Sequence, residues 1–158
     1  MRHKKSLLLH TKSEQETIAL GKRIAQCISN PQVIALHGTL GSGKTTLTKG
    51  LVAGFFPRRK IVVKSPSFAL VNQYQGTYTI NHIDCYRLDD EGEFIDIGID
   101  EFLYSSGITI IEWPEKIKKL LPKEALHIRI KASSETERSL QFDAPSKMLR
   151  SLRSKLCT

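Results

Sequence analysis

The sequence lacks long hydrophobic runs and is poor in cysteine. No apolar stretch among its 158 residues approaches the roughly 20 that a membrane-spanning helix needs, and Leu7–Leu9 is too short for the apolar region of a signal peptide. The three cysteines, Cys27, Cys85 and Cys157, lie far apart and form no CxxC pair, which argues against a disulfide framework or a zinc site. We therefore expect a cytoplasmic protein with no membrane partner.

Internal repeats, low-complexity segments and linkers are also missing. A chain of 158 residues with 40% hydrophobic and 25% charged residues is typical of a globular protein, which argues against disorder and against a fibrous protein. Its length is enough to bury a self-sufficient core. We predict a single domain over residues 1–158.

The positive charge is concentrated at the two ends of the chain. The net charge of +8 equals the four Lys or Arg residues in 1–12 plus the four in 145–158, and neither segment contains an acid. Residues 13–144 are therefore balanced, although 84–101 holds eight acids opposed only by Arg87. The basic ends indicate either contact with a polyanion such as tRNA or solvated termini that aid solubility.

Hydrophobic patterning predicts strands that alternate with helices. Ser13 and Glu16 have the spacing of a capping box, and they open a predicted helix over 13–28 that ends at Asn30-Pro31. A buried strand over 33–36, a glycine-rich turn and a helix over 44–54 follow. Further strands are predicted at 61–63, 68–74, 77–83, 108–111, 126–130 and 139–142, with helices at 94–103 and after Pro145. This order predicts an α/β fold with a mostly parallel sheet and helices on both faces.

The segment from Gly38 to Thr45 matches the phosphate-loop pattern GxxxxGK[ST] at every fixed position. Glycines let consecutive backbone N–H groups turn inward around an anion, and the following helix N-terminus adds partial positive charge. Lys44 can reach the β- and γ-phosphates, and the Thr45 hydroxyl can bind Mg²⁺. Chance produces such a match in about one chain in two hundred, and here it also lies between a predicted strand and a predicted helix. We expect Lys44 to face solvent when the loop is empty.

Two acids end predicted strands and are candidates for the metal side of this site. Glu112 ends the very apolar strand over 108–111, so we expect it to be the better metal ligand. Asp84 ends the strand over 77–83, which alternates more and is predicted to be less buried. Asp84 would then orient or deprotonate the attacking water, although the two roles could be exchanged. Each acid could instead be a solvated strand end.

Several neighbouring residues allow two interpretations. Ser65 and Ser67 could contact a γ-phosphate as a switch segment does, or could form a simple turn. Trp113 could stack on a base or pack its loop. His37 and His82 flank strand ends and are interpreted as structural.

Taken together, four segments of the sequence resemble the TsaE (YjeE) family of small bacterial P-loop ATPases, required to form threonylcarbamoyladenosine in tRNA. Besides the phosphate loop, these are Ser65-Pro66-Ser67-Phe68, His82-Ile83-Asp84-Cys85-Tyr86-Arg87-Leu88 and Ile111-Glu112-Trp113-Pro114-Glu115. The motifs occur in the family's order and spacing from the Ser13 helix to Arg138. The combination of HxDxYRL with IEWPE is much more specific than the phosphate loop alone.

This resemblance implies a P-loop sheet, ATP and Mg²⁺ as cofactors, and slow ATP hydrolysis. It also implies TsaB and TsaD as partners, the proteins that transfer the threonylcarbamoyl group to an adenosine beside the anticodon. Thr45 and Glu112 match the magnesium positions, Asp84 matches the acid near the γ-phosphate, and Lys44 matches a phosphate contact with a catalytic role. The implied nucleotide contacts are Ser13, Thr17, Gly41, Ser42, Gly43, Lys44, Thr45, Thr46 and Arg138.

The chain departs from the family pattern at four positions. Thr39 replaces the usual Asp after the first loop glycine. In the segment that usually reads SPTxTLVNEY, Ser67 keeps a hydroxyl, whereas Ala69 lacks one and Gln73 lacks a charge. We expect the departures in this segment to affect the details of the switch segment and the rate of ATP turnover.

Two other functions fit a phosphate loop. A small-metabolite or nucleoside kinase usually has an arginine-bearing lid, and the Lys-rich segment 114–125 contains no arginine. A small GTPase normally recognises guanine through an NKxD segment, and none occurs. An ATPase that serves a tRNA-modifying complex is therefore the preferred prediction.

Overall fold

The computed structural model describes residues 6–29, 32–66 and 70–157. Within these ranges the chain forms a seven-stranded sheet with helices on both faces, which confirms the predicted fold class. The strands are β1 (Leu7–Thr11), β2 (Gln32–His37), β3 (Val71–Tyr74), β4 (Ile80–Asp84), β5 (Ile108–Glu112), β6 (Leu126–Ala132) and β7 (Arg138–Asp143). The helices are α1 (Glu14–Cys27), α2 (Lys44–Phe55), α3 (Glu91–Asp96), α4 (Ile99–Leu103) and α5 (Ser146–Leu156), with a 3₁₀ turn at Pro114–Ile117.

The sheet order places the predicted acids beside the phosphate loop. The strands lie in the order β1-β7-β6-β2-β5-β4-β3, and β6, β2, β5 and β4 are parallel to one another. The edge pairs β1–β7, β7–β6 and β3–β4 are antiparallel. In this register Leu36 is opposite Glu112, and Glu112 is opposite Asp84. The carboxyl ends of three parallel strands therefore meet at one edge, where ligands bind in open α/β sheets.

Two hydrophobic layers cover the sheet because its buried strands are apolar on both faces. Ile34 and Leu36 pack against the layer formed by α1, α2 and α5, whereas Val33 packs against α3, α4 and the 3₁₀ turn. Side chains alternate along a strand, so Ile108, Ile110 and Glu112 share the face that α2 covers. The site is thus built on the α2 side of the sheet.

Helices α1 and α2 approach each other closely through glycines. A Cβ at Gly50 would lie 2.3 Å from the carbonyl oxygen of Ile18, and one at Gly21 would lie 2.7 Å from that of Leu47. Ser13 caps α1 by accepting the Glu16 N–H at 3.1 Å, as predicted. The Glu16 carboxylate accepts the N–H of Lys12 at 2.7 Å. This packing brings the start of α1 beside the start of α2.

Several local predictions were wrong or lie outside the described residues. Residues 61–63 form no strand, and Val62 is exposed. The helix predicted over 94–103 is split into α3 and α4 at Gly98, whose φ of 76° is incompatible with a continuous right-handed helix. The strand predicted over 77–83 begins only at Ile80; residues 77–79 and Asp84 are not buried, so it is less buried than β5, as expected, although Ile80–Ile83 is wholly buried.

Other differences concern the ends of elements. β1 was not predicted, since Leu7–Leu9 had been considered only as an apolar run; it pairs with β7, with Leu7 opposite Phe142. Three predicted features lie outside the described ranges: residues 1–5 of the basic N-terminal segment, the helix-ending pair Asn30-Pro31, and the switch residues Ser67 and Ala69.

All three cysteines are unpaired. No helix in the described part of the chain is long and apolar enough to cross a membrane.

Candidate functional site

The loop over 38–43 joins β2 to α2 and presents backbone donors to one cavity. Gly43 has a φ of 111°, which a residue with a side chain rarely adopts, and it leads directly into α2. The Ser42 N–H donates to the Thr39 carbonyl at 3.1 Å. Within the described ranges, the N–H groups of Gly41, Gly43 and Lys44 have no backbone acceptor. These donors, together with the positive end of the α2 dipole, have the arrangement that suits an anion.

Gly38 is required by close packing beneath the loop. A Cβ at this position would lie 2.3 Å from Ser42 Oγ and 2.7 Å from the Ile130 carbonyl oxygen. The Ser42 side chain is buried in this space, and its hydroxyl does not line the cavity. The hydroxyl has no hydrogen-bond partner among the described residues, and the predicted contact of Ser42 with the nucleotide stays a prediction.

Lys44 is buried, so the expectation that it faces solvent was wrong. It is 6% exposed, and its ammonium donates to the carbonyls of Gly38 at 2.7 Å and Thr39 at 2.9 Å. The ammonium also lies 4.1 Å from the centre of the Trp113 ring, within cation–π range. Burial lowers the pKa of Lys44, and the carboxylates of Glu112, Asp84 and Glu115 oppose that shift. The Lys44 side chain is thus held by the carbonyls of its own loop.

Glu112 lies against the start of α2, in the place predicted for the metal side. Its carboxylate is buried, and the Thr45 hydroxyl donates to it at 3.2 Å from each oxygen. The Thr48 hydroxyl lies 3.5 Å from Oε1 and donates to the Lys44 carbonyl at 3.0 Å. The two residues predicted to be metal ligands, Thr45 and Glu112, are therefore brought into direct contact.

Asp84 lies at the other side of the same cavity and is held by two donors. The Ser65 hydroxyl donates to Oδ2 at 2.6 Å, and the Tyr86 N–H donates to Oδ1 at 2.9 Å. Ser65 belongs to the predicted switch segment, so this bond ties that segment to the end of β4. The arrangement leaves Asp84 facing the cavity rather than buried like Glu112.

His82 contacts Glu112, although sequence reasoning had given it no role at the site. It is fully buried, and Nε2 lies 2.9 Å from Glu112 Oε1, whereas Nδ1 has no hydrogen-bond partner among the described residues. Nε2 is the donor in this contact, because the carboxylate accepts. The sequence does contain a signal for this contact: His82 and Asp84 are two residues apart, so their side chains lie on the same face of β4. His37, by contrast, contacts Glu115 at 2.7 Å and His127 at 2.9 Å.

Replacing His82 should destabilise the protein through Glu112. We expect His82→Leu to lower the free energy of unfolding by about 1–3 kcal/mol, the cost of removing a partner from a buried charged acceptor. His82→Gln can still place an N–H donor near Oε1 and should lose clearly less. Urea denaturation monitored by circular dichroism measures both changes. Equal losses in the two variants would show that packing, and not the donor, is what His82 contributes.

The cavity enclosed by these groups has a volume of about 410 Å³. Besides the loop glycines, Lys44, Thr45, Asp84 and Glu112, its walls include four side chains that were given no site role or only an uncertain one. These are Leu40, Tyr86, Arg87 and Trp113. The Trp113 ring lies 4.9 Å from that of Tyr86, and Trp113 has a φ of 58°, a conformation unusual for a bulky residue. Trp113 therefore forms a wall of the cavity together with Lys44.

A second cavity of about 300 Å³ adjoins the first and shares Gly43, Thr46 and Arg138 with it. Thr17 lines it, but the Thr17 hydroxyl is already engaged, with Ser13 O at 3.1 Å and with Thr11 Oγ1 at 2.8 Å. The Arg138 guanidinium donates to three carbonyls of the 134–137 turn, which holds it at the boundary between the cavities. The Ser13 hydroxyl caps α1.

The side chains at the loop have the composition of a magnesium–phosphate site. Within the described ranges, no group of three or more His, Cys, Asp and Glu residues could hold a metal by itself. Mg²⁺ is commonly bound by one or two carboxylates together with substrate phosphates and waters, and it prefers oxygen. Thr45 Oγ1 beside the Glu112 carboxylate supplies two such oxygen donors next to an anion-binding loop. The residues present thus fit a metal that arrives with a phosphate ligand.

Comparison with known proteins identifies the family. The family model of "Threonylcarbamoyl adenosine biosynthesis protein TsaE" matches residues 11–140. A TsaE protein of Bacillus subtilis is 38% identical over 141 residues, which cover 89% of this chain and 87% of the relative. One from Treponema pallidum is 33% identical over 130 residues, covering 82% of this chain and 95% of the relative.

A solved structure agrees with these relatives. The crystal structure of Bacillus subtilis YdiB superposes with a TM-score of 0.78 at 33% identity, covering 97% of this chain and 95% of that one. The matched residues include the loop, both acids and Arg138. On this evidence the chain belongs to the TsaE family of tRNA threonylcarbamoyladenosine biosynthesis proteins.

Proposed function

We propose that this protein is an ATPase that binds ATP with Mg²⁺ and hydrolyses it slowly in the 410 Å³ cavity. The observation that carries the proposal is the contact between Thr45 and Glu112 at the mouth of a glycine loop. A hydroxyl lies 3.2 Å from both oxygens of a buried carboxylate, beside backbone N–H groups that have no backbone acceptor. Such a group of donors and acceptors suits a metal-bound triphosphate.

Each residue has a role that follows from its position. The loop N–H groups and Lys44 bind phosphate oxygens, and the Lys44 ammonium exchanges the Gly38 and Thr39 carbonyls for them. Thr45 and Glu112 hold Mg²⁺, which when bound neutralises charge on the phosphates. Asp84, held by Ser65 and by the Tyr86 N–H, orients the attacking water and accepts its proton at a carboxylate oxygen. Thr46 and Arg138 line both cavities and lie where the remainder of the nucleotide would extend.

In the cell, the ATPase would serve a complex of TsaB and TsaD that transfers the threonylcarbamoyl group to tRNA. Family membership and the chain's likeness to TsaE relatives over most of its length support this partnership. Nucleotide turnover would reset or license the transferase, and the protein would not itself carry out the transfer. The basic ends, 1–12 and 145–158, are candidate tRNA contacts, and a cytoplasmic location fits these partners.

Phosphate release with and without a small acceptor tests the proposal. We expect ATP and Mg²⁺ alone to yield inorganic phosphate slowly, and added TsaB and TsaD to change that rate. Nucleosides and small metabolites should have no effect. If phosphate were transferred only when such an acceptor is present, the protein would be a kinase. If calorimetry detected no nucleotide binding, the ATPase proposal would be refuted.

A further inference from the structure

A basic cleft lies at the far end of α1 and α2 from the phosphate loop. It has a volume of about 500 Å³ and is lined by Lys22, Arg58, Arg59 and Lys60, with no acid among its lining residues. All four side chains are exposed. Because α2 has 12 residues at about 1.5 Å rise each, the cleft is separated from the nucleotide cavity by about 18 Å of helix. The two sites are therefore distinct.

Helix packing brings these cations together from two distant parts of the sequence. Gly54 allows α2 to touch α1, since a Cβ there would lie 2.7 Å from both Ala25 Cβ and the Lys22 carbonyl oxygen. The chain then turns after Phe56, with the Arg59 N–H donating to the Phe56 carbonyl at 3.0 Å, which places 58–60 beside Lys22. Charge counting along the sequence described 13–144 as balanced and could not detect this convergence.

The fold also separates the acids from this cleft. The acidic residues of 89–101 lie on or beside α3 and α4, which cover the opposite face of the sheet. Within the described ranges, none of the ion pairs involves the four cleft cations. The end of α2 contributes about half a negative charge, which is small against four positive side chains. The cleft thus has a strongly positive local charge.

The Arg59 side chain of the cleft is held in place by two contacts. The Arg59 guanidinium donates to the Gln75 carbonyl and lies 5.5 Å from the centre of the Phe56 ring. This contact uses one of its five N–H donors and leaves others for a phosphate. Nearby, Arg23 donates to the carbonyls of Lys155 and Leu156 at 3.1 Å, so the basic C-terminal helix α5 adjoins α1. Arg23, the neighbour of Lys22 in the sequence, thus ties the end of α5 to α1.

We propose that this cleft binds the sugar-phosphate backbone of RNA, with tRNA as the natural ligand. Neighbouring arginines bind phosphates with paired donors, and such contacts position a nucleic acid without reading its sequence. The relatives are tRNA threonylcarbamoyladenosine biosynthesis proteins, and among polyanions this favours tRNA as the ligand. The proposal rests on family membership and on the cleft, and it is independent of the ATPase proposal.

Salt-dependent binding of a labelled tRNA transcript, measured by fluorescence anisotropy without nucleotide, tests the cleft. The double variant Arg58→Ala/Lys60→Ala should bind at least about tenfold more weakly at about 50 mM salt. The slope of log binding constant against log salt concentration, measured up to about 200 mM, should become shallower by about 1.4 to 1.8. Each lost phosphate contact accounts for about 0.7 to 0.9 of that slope. The control Lys118→Ala/Lys119→Ala removes the same charge on the other side of the sheet and should retain the wild-type slope.

Three outcomes would overturn the proposal. Both double variants could lose the same affinity, which would mean that net charge alone matters. A third variant, Lys147→Ala/Arg150→Ala, could account for the whole effect while the cleft variant binds normally, which would assign RNA to α5. Polyglutamate could displace the transcript as well as unlabelled tRNA does, which would indicate an acidic protein ligand. Circular dichroism melting of each variant excludes unfolding as the cause.

Discussion

Replacing Lys44 with methionine should reduce the affinity for ATP about 100-fold or more. The ammonium would make charge-assisted hydrogen bonds to phosphate oxygens, each worth about 1.5–3 kcal/mol, and tenfold in affinity corresponds to about 1.4 kcal/mol. Methionine has a similar length and can still pack against Trp113, which lies beside the ammonium. Isothermal calorimetry with a non-hydrolysable ATP analogue and Mg²⁺ measures the change.

The matched control is Lys49→Met, on the same helix. Lys49 is exposed and pairs with Glu14 at 3.8 Å, outside the nucleotide cavity. It should bind the analogue like the wild type. Lys44→Ala is a poorer choice than Lys44→Met, because Lys44 is buried and alanine would leave a void beside Trp113, whereas the loss of the donor to the Gly38 and Thr39 carbonyls is the same in both variants. Equal analogue affinity in Lys44→Met and wild type would contradict the assigned role.

The parts of the fold that could be predicted from sequence are those determined by local periodicity. The four-residue apolar runs at 33–36 and 108–111 became the central parallel strands, and the Ser13–Glu16 spacing marked the start of α1 correctly. The register that aligns Leu36, Glu112 and Asp84 depends on contacts between strands that are distant in sequence. No local pattern specifies it, so the strand order remained open.

Burial was harder to predict than secondary structure. Isoleucine and valine at 61–63 have a high strand propensity, yet no strand offers them a partner, and propensity alone does not form a ladder. Asn81 and His82 interrupt the apolar pattern of β4, yet both are buried with partners: Asn81 Nδ2 donates to the Thr109 hydroxyl at 3.3 Å, and His82 contacts Glu112. A polar residue in a strand thus indicated a buried polar contact rather than solvent.

The candidate site was predicted in its chemistry and less well in its electrostatics. The motif identified Lys44, Thr45 and Glu112, whose contacts with one another or with the loop the structure shows. It could not show that the Lys44 ammonium donates to the loop's own carbonyls, because the motif names the side chain and not its burial or its partners. Ser67 and Ala69 of the predicted switch segment lie outside the described residues, so their roles stay predictions.

Substitution of the two acids should separate metal binding from catalysis. Glu112→Gln keeps the size of the side chain but removes its charge, so we expect the Mg²⁺ concentration for half-maximal turnover to rise about 10- to 100-fold, corresponding to about 1.5–3 kcal/mol. Asp84→Asn should leave that concentration within about twofold and lower the maximal rate about 100-fold or more, the range of a lost general base. Magnesium titrations of phosphate release at saturating ATP measure both quantities.

The two expectations differ because the structure gives the acids different neighbours. Glu112 is 2% exposed and contacts Thr45. Its carboxylate would therefore bind the same Mg²⁺ ion as the Thr45 hydroxyl. Asp84 touches Ser65, outside the phosphate loop, and faces the cavity across from Glu112. Since His82 donates to Glu112 and has no contact with Asp84 among the described hydrogen bonds, His82→Leu should shift the magnesium requirement in the same direction as Glu112→Gln. A magnesium requirement that moved with Asp84→Asn and not with Glu112→Gln would exchange the two roles.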